Sequence, residues 1–109
     1  MNVEHYWGDG QYAKKIPLEA GQMIGKHKHT YTHLSIVAKG RVLVRTDGGD
    51  GSGILKTRKE YEAGDCVTVT ANTLHQVTAL EDSIWYCTHA TDETDPAKVD
   101  EVTIMKGRG

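Results

Sequence analysis

The chain has 109 residues and a mass of 12.0 kDa, which is room for one domain and one core. Its formal charge of −2 arises from 13 basic and 15 acidic residues; the basic ones are scattered, without the Lys/Arg stripe that nucleic acid requires, so nucleic acid is not expected as a partner. No apolar run approaches a membrane span and no leader is recognisable at the amino terminus, so the expectation is a cytoplasmic protein with no membrane contact.

Almost nothing repeats apolar residues at helical spacing; short strand-like runs alternate instead with glycine-centred breaks. In chain order the predicted strands are Tyr12–Leu18, Gln22–His29, Thr32–Ala38, Arg41–Thr46, Ile54–Tyr61, Cys66–Thr70, His75–Leu80 and Ser83–His89. Turns fall at Ala20-Gly21, Lys39-Gly40, Asp47 to Gly53, Ala63 to Asp65 and Ala71-Asn72, where Gly, Asn or Asp tolerates positive φ. Strands at this spacing indicate an all-β antiparallel sandwich or barrel. With no phenylalanine, aromatic mass comes from five tyrosines and two tryptophans, whose polar ends suit a half-wet interior.

Within that frame, "DGGDGSG" (Asp47 to Gly53) has too few carboxylates, wrongly spaced, for a calcium loop and is expected to be a mobile hairpin tip. Cys66 and Cys87 lie in predicted strands and form no CxxC pair; reduced thiols are expected, with a cross-strand disulfide left open. Trp85 and Tyr86 are adjacent in a strand, so only one of them faces the interior. Residues 91–109 form a polar, acidic tail in which Val99 to Met105 can add an edge strand, in the same chain or across a dimer, while Gly107 to Gly109 is expected to fray.

Three of the six histidines fall between His27 and His33. His27 and His29, two apart in a strand, share a face. Thr30 to Thr32 is about the length of a tight hairpin, which would bring His33 back beside His29. Neutral imidazoles gathered this way suit a first-row transition metal, whereas a histidine-bearing surface hairpin would give the same spacing without one. His5 near the terminus and His89 at a strand end are read as solvated or structurally satisfied, Gln76 as pointing outward, and Asp65 as a turn residue. Tyr31, between the histidines, is a candidate acid or hydrogen-bond donor at the mouth of the site, with a surface turn tyrosine as the alternative.

Two segments together resemble the cupin superfamily. Gly21, His27, His29, His33 and Gly40 fall in the spacing of its first motif, and Gly64 and His75 match its second. His33 stands where the family has a glutamate, Thr70 where it has a proline, Asn72 a glycine and Ala79 an asparagine. Asn is a fair substitute for a turn glycine because it also visits the left-handed region. The resemblance covers about residues 12–90 and implies a cupin-type double-stranded β-helix (jelly-roll) barrel.

It also implies a site made of His27, His29, His33 and His75 around one divalent transition metal, be it Fe, Mn, Ni, Cu or Zn. Replacing the glutamate by histidine removes a negative charge, leaving a divalent ion at its full +2 and favouring anionic ligands. Four ligands on a six-coordinate ion leave two positions for a small-molecule ligand or substrate. The resemblance further implies a homodimer, with the tail or Glu4 to Trp7 as an exchanged strand. Three functions fit: a metal-dependent dioxygenase or other oxidoreductase acting on a small organic substrate, a non-redox lyase or isomerase, and a non-catalytic small-molecule or metal sensor.

Overall fold

In the computed structural model, which describes residues 2–91 and the backbone of residues 104–106, the period-two alternation becomes ten strands. They are β1 (Glu4–Gly8), β2 (Gln11–Leu18), β3 (Gln22–His27), β4 (His33–Lys39), β5 (Arg41–Thr46), β6 (Thr57–Glu62), β7 (Cys66–Val69), β8 (His75–Ala79), β9 (Ser83–Ala90) and β10 (Ile104–Lys106). Every pairing is antiparallel, and the strands form two five-stranded sheets, ordered β1-β2-β9-β4-β7 and β10-β3-β8-β5-β6. Among the described residues no helix is long and apolar enough to cross a membrane.

The alternation decides which side chains fill the space between the sheets. In β2, Tyr12, Lys14, Ile16 and Leu18 are buried, and in β9 Ser83, Trp85 and Cys87 are. Registers Ile16↔Trp85 and Trp85↔Val37 put three nearly inaccessible side chains in one layer across β2, β9 and β4. Ile24, Val42, Val44 and Val77 of the second sheet close the core from the other side. Trp85 is the inward member of its pair, and Tyr86 lies half-buried on the outer face. Neither cysteine is in a disulfide: Cys66 is exposed, while the Cys87 sulfur accepts from Trp85 Nε1 at 3.1 Å and from Ser35 Oγ at 3.7 Å.

Several expectations need correction. The predicted run Ile54–Tyr61 begins pairing only at Thr57, and Ile54 is 62% exposed. Segment 47–56 arches outward instead, closed at its base by Lys56 N–H donating to the Thr46 carbonyl at 2.7 Å and internally by the Lys56–Asp50 ion pair. The glycine-rich tip is also anchored, because Asp47 is buried. No hairpin joins His29 to His33: β3 belongs to one sheet and β4 to the other, so residues 28–32 cross between them. That crossing is fastened to the loop before β8 by Asn72 N–H to the His29 carbonyl (2.7 Å) and Ala71 N–H to Thr32 Oγ1 (3.0 Å). Two strands join the predicted eight, β1 and β10, each pairing within the chain at an edge of its sheet. Of the tail's expected edge strand, Val99 to Met105, Ile104 and Met105 are seen, continued by Lys106, while residues 99–103 and the expected frayed end, 107–109, lie outside the described residues.

Candidate metal centre

A phase shift in β3 points the first two histidines inward. Ile24 is buried, so strict alternation would send residues 26 and 28 to the interior and His27 and His29 to solvent. Between Ile24 and His27 the register with β8 slips: Ile24 faces Val77, and His27 faces His75. Three steps along β3 thus match two along β8, the signature of a bulge. The extra residue exposes Lys26 and Lys28 and turns His27 and His29 toward the barrel.

His27 and His75, opposite one another on neighbouring strands, have ring centres 4.1 Å apart. His29 lies 4.9 Å from His27 and 5.8 Å from His75. Each of these three can offer a nitrogen so that the three ligand atoms lie within 4.8 Å of one another. His33 arrives from the opposite sheet, its ring 5.1 Å from His29 and 6.1 Å from His75. The close group is therefore three histidines and not the four expected, with His33 beside it, because His33 is carried by β4 across the barrel while His27 and His75 share a ladder.

The hydrogen bonds of these rings fit a cation. His27 Nδ1 donates to the Gly25 carbonyl at 2.9 Å, and His75 Nδ1 donates to the Thr73 carbonyl at 3.0 Å. A carbonyl only accepts, so the proton is fixed on Nδ1 and each Nε2 keeps its lone pair. His27 Nε2 and both nitrogens of His33 are buried and have no hydrogen-bond partner among the described residues, a costly state that a metal would relieve. An imidazole bound at about 2.0–2.1 Å puts its ring centre about 3 Å from the ion, so rings sharing one ion stand about 4–6.5 Å apart. All five ring separations above fall in that interval.

Burial, followed by the neighbouring rings of His29, His75, His27 and His89, lowers the pKa of His33 from 6.5 to about 4. It is therefore neutral at physiological pH, the form a metal requires. Tyr31 stacks on His29, with ring centres 5.1 Å apart and planes 13° from parallel, and stands 4.8 Å from His89. His5 lies outside the group: its Nδ1 meets Tyr12 OH at 2.6 Å, consistent with a structurally satisfied histidine. His89 belongs closer to the site than expected. It shares the inward face of β9 with Trp85 and Cys87, and that alternation is the signal by which the sequence announces it. A cavity of about 440 Å³ leads to His75 past Val44, Thr46, Tyr61, Val69 and Gly49. Among the described residues lining it, His75 is the only one with an imidazole, carboxylate or cationic side chain.

The Cupin domain family profile matches residues 15–99, most of the chain and both histidine segments. Among solved structures, an RmlC-like cupin family protein with a double-stranded β-helix fold from Methanocaldococcus jannaschii superposes with a TM-score of 0.65 at 20% identity, covering 82% of this chain and 78% of that one. A protein from Bacillus halodurans gives a TM-score of 0.70 at 19% identity, covering 96% of this chain and 77% of the other. A cupin superfamily protein from Desulfitobacterium hafniense gives 0.66 at 12% identity, covering 84% and 79%. These likenesses show a shared fold. No curated protein matches the sequence.

Proposed function

The chain belongs to the Cupin domain family, and on that premise we propose that it is a small metal-binding cupin whose divalent transition ion is held by His27, His29 and His75, with His33 as a fourth ligand. The observation that carries this reading is the set of buried ring nitrogens on His27 and His33 that have no hydrogen-bond partner among the described residues, together with the ligand atoms of His27, His29 and His75 lying within 4.8 Å of one another. Imidazole donors suit Fe, Mn, Ni, Cu or Zn, and an all-histidine set leaves the ion its full charge. When bound, the ion supplies Lewis acidity and, if it is Fe, Mn or Cu, a redox partner for dioxygen.

The chain's own residues would do the rest. The cavity above His75, walled by valine and threonine side chains, has a volume of about 440 Å³, room for a small organic molecule. The stacking of Tyr31 on His29 supports a role for its hydroxyl as a proton donor or acceptor. A metal-dependent dioxygenase or related oxidoreductase is the leading activity. The non-redox alternative, a lyase or isomerase, needs only the ion's Lewis acidity. A non-catalytic small-molecule sensor is favoured by one observation: the described residues lining that cavity include no carboxylate to act as a base. Leu34, Ile36 and Tyr6, exposed on the outer face of the first sheet, support a homodimer.

Titration with Co²⁺ tests the ligand set. His33→Ala is expected to weaken binding at least tenfold, whereas His5→Ala, which alters the Tyr12 contact, leaves it unchanged. Equal affinities for the two variants refute the fourth ligand. Oxygen consumption by iron-loaded protein over a panel of small carboxylates and phenols separates the redox reading from the other two.

A further inference from the structure

One buried carboxylate is fastened to the segment that leads into His75. Asp47 is 2% exposed, and among the described residues it has no cationic partner. It follows Thr46, the residue that pairs with His75 in the β5–β8 ladder. Its backbone N–H donates to the Leu74 carbonyl at 3.0 Å, and its Oδ1 accepts from Leu74 N–H at 3.2 Å and from Gly49 N–H at 2.8 Å. Asp47 therefore holds both backbone groups of the residue just before His75. The Thr73 carbonyl, one residue further back, accepts from His75 Nδ1. Gly49 closes on the same segment so tightly that a Cβ there would lie 3.2 Å from Thr73 Oγ1.

We propose that Asp47 is the positioning residue of the metal centre: its buried carboxylate fixes the Thr73–His75 segment and supplies the negative charge that an all-histidine ligand set lacks. The proposal rests on the reading that these histidines bind a metal. A carboxylate taken out of water with only two N–H donors is costly unless a positive charge offsets it nearby. Four neutral imidazoles leave a divalent ion uncompensated, and Asp47 is the acidic side chain bonded to Leu74, the residue just before His75. "DGGDGSG" then acts as an orienting clamp: Asp47 is buried against Leu74, and Gly48 and Gly49 allow the chain to turn across the cavity wall without filling it.

The test uses the full-length protein and Co²⁺ or Zn²⁺ alone as the probe. Asp47→Asn keeps an acceptor for both N–H groups and removes only the charge; Asp47→Ser keeps a shorter acceptor. Metal affinity is read by chelator competition, the ligand field by the Co²⁺ visible spectrum, and stability by melting of the metal-free protein. The expected result is a metal-free melting temperature near wild type for Asp47→Asn with about tenfold weaker metal binding. Asp47→Ser is expected to lose more affinity and to alter the Co²⁺ spectrum as His75 loosens. Wild-type affinity and spectrum in both variants would overturn the proposal, as would failure of both variants to fold, which would make Asp47 a folding residue only. Absence of binding by the wild type itself would instead sink the metal reading, a separate outcome.

Discussion

Gly40→Ala tests the account of the barrel most severely. Gly40 joins β4 to β5 with φ at +80°, where an L-residue pays about 1–2 kcal/mol. A Cβ built there would stand 2.3 Å from Ser83 Oγ, 2.4 Å from the Asp82 carbonyl oxygen and 2.9 Å from Ser83 Cα. Two of these are backbone atoms, so the neighbour cannot rotate away, and the overlap adds about 1–3 kcal/mol. Displacing Ser83 also breaks its hydroxyl bonds to the carbonyls of Arg41 (3.0 Å) and Glu81 (2.7 Å), worth about 1 kcal/mol together. The total is about 3–6 kcal/mol, or a melting temperature lowered by about 12 °C or more. Gly21→Ala is the internal control: its φ is +87°, but nothing lies within 4 Å of the added Cβ, so only the backbone cost of about 1–2 kcal/mol applies. Chemical denaturation of both variants reads the difference. Equal losses would refute the steric argument and leave φ alone as the reason for glycine at position 40.

Three further outcomes follow from other parts of the molecule. In metal-free protein the unfolded chain protonates His33 below pH 6.5 and the native chain only near pH 4; stability should therefore fall as pH drops through that window, by at most about 3 kcal/mol, and melting curves at pH 7.5, 5.5 and 4.5 that coincide would contradict it. Asn72, with φ at 61°, is the one described non-glycine residue in the left-handed region: Asn72→Gly should be nearly neutral and Asn72→Val should cost about 1–2 kcal/mol, measured by denaturant midpoint. Trp85→Ala removes the largest buried side chain and should cost about 3–5 kcal/mol, with a loss of buried tryptophan fluorescence and no large change in the Co²⁺ spectrum.

Much of this architecture can be read from the chain, because period-two alternation and glycine turns are local signals. Arg41–Thr46 is predicted to its ends, and Asn72 takes the glycine's place for the reason its left-handed tolerance suggests. What local pattern does not carry is register. The bulge between Ile24 and His27 shows only as a conflict of phase: one buried residue and two histidines that alternation would put on opposite faces. The crossing from β3 to β4 looks like a hairpin in sequence, since loop length alone does not reveal that the chain changes sheets. His33 consequently lands beside the histidine group from across the barrel. Asp47, in a stretch composed like an exposed tip, is buried through contacts to Leu74, far along the chain.

Elemental analysis of the untagged protein, with the His27→Ala/His75→Ala double variant alongside, reads whether the histidine cluster holds a metal. The expected result is close to one equivalent of Fe, Mn, Ni, Cu or Zn in the wild type and none in the variant. No metal in the wild type, even after reconstitution with each ion, would contradict it.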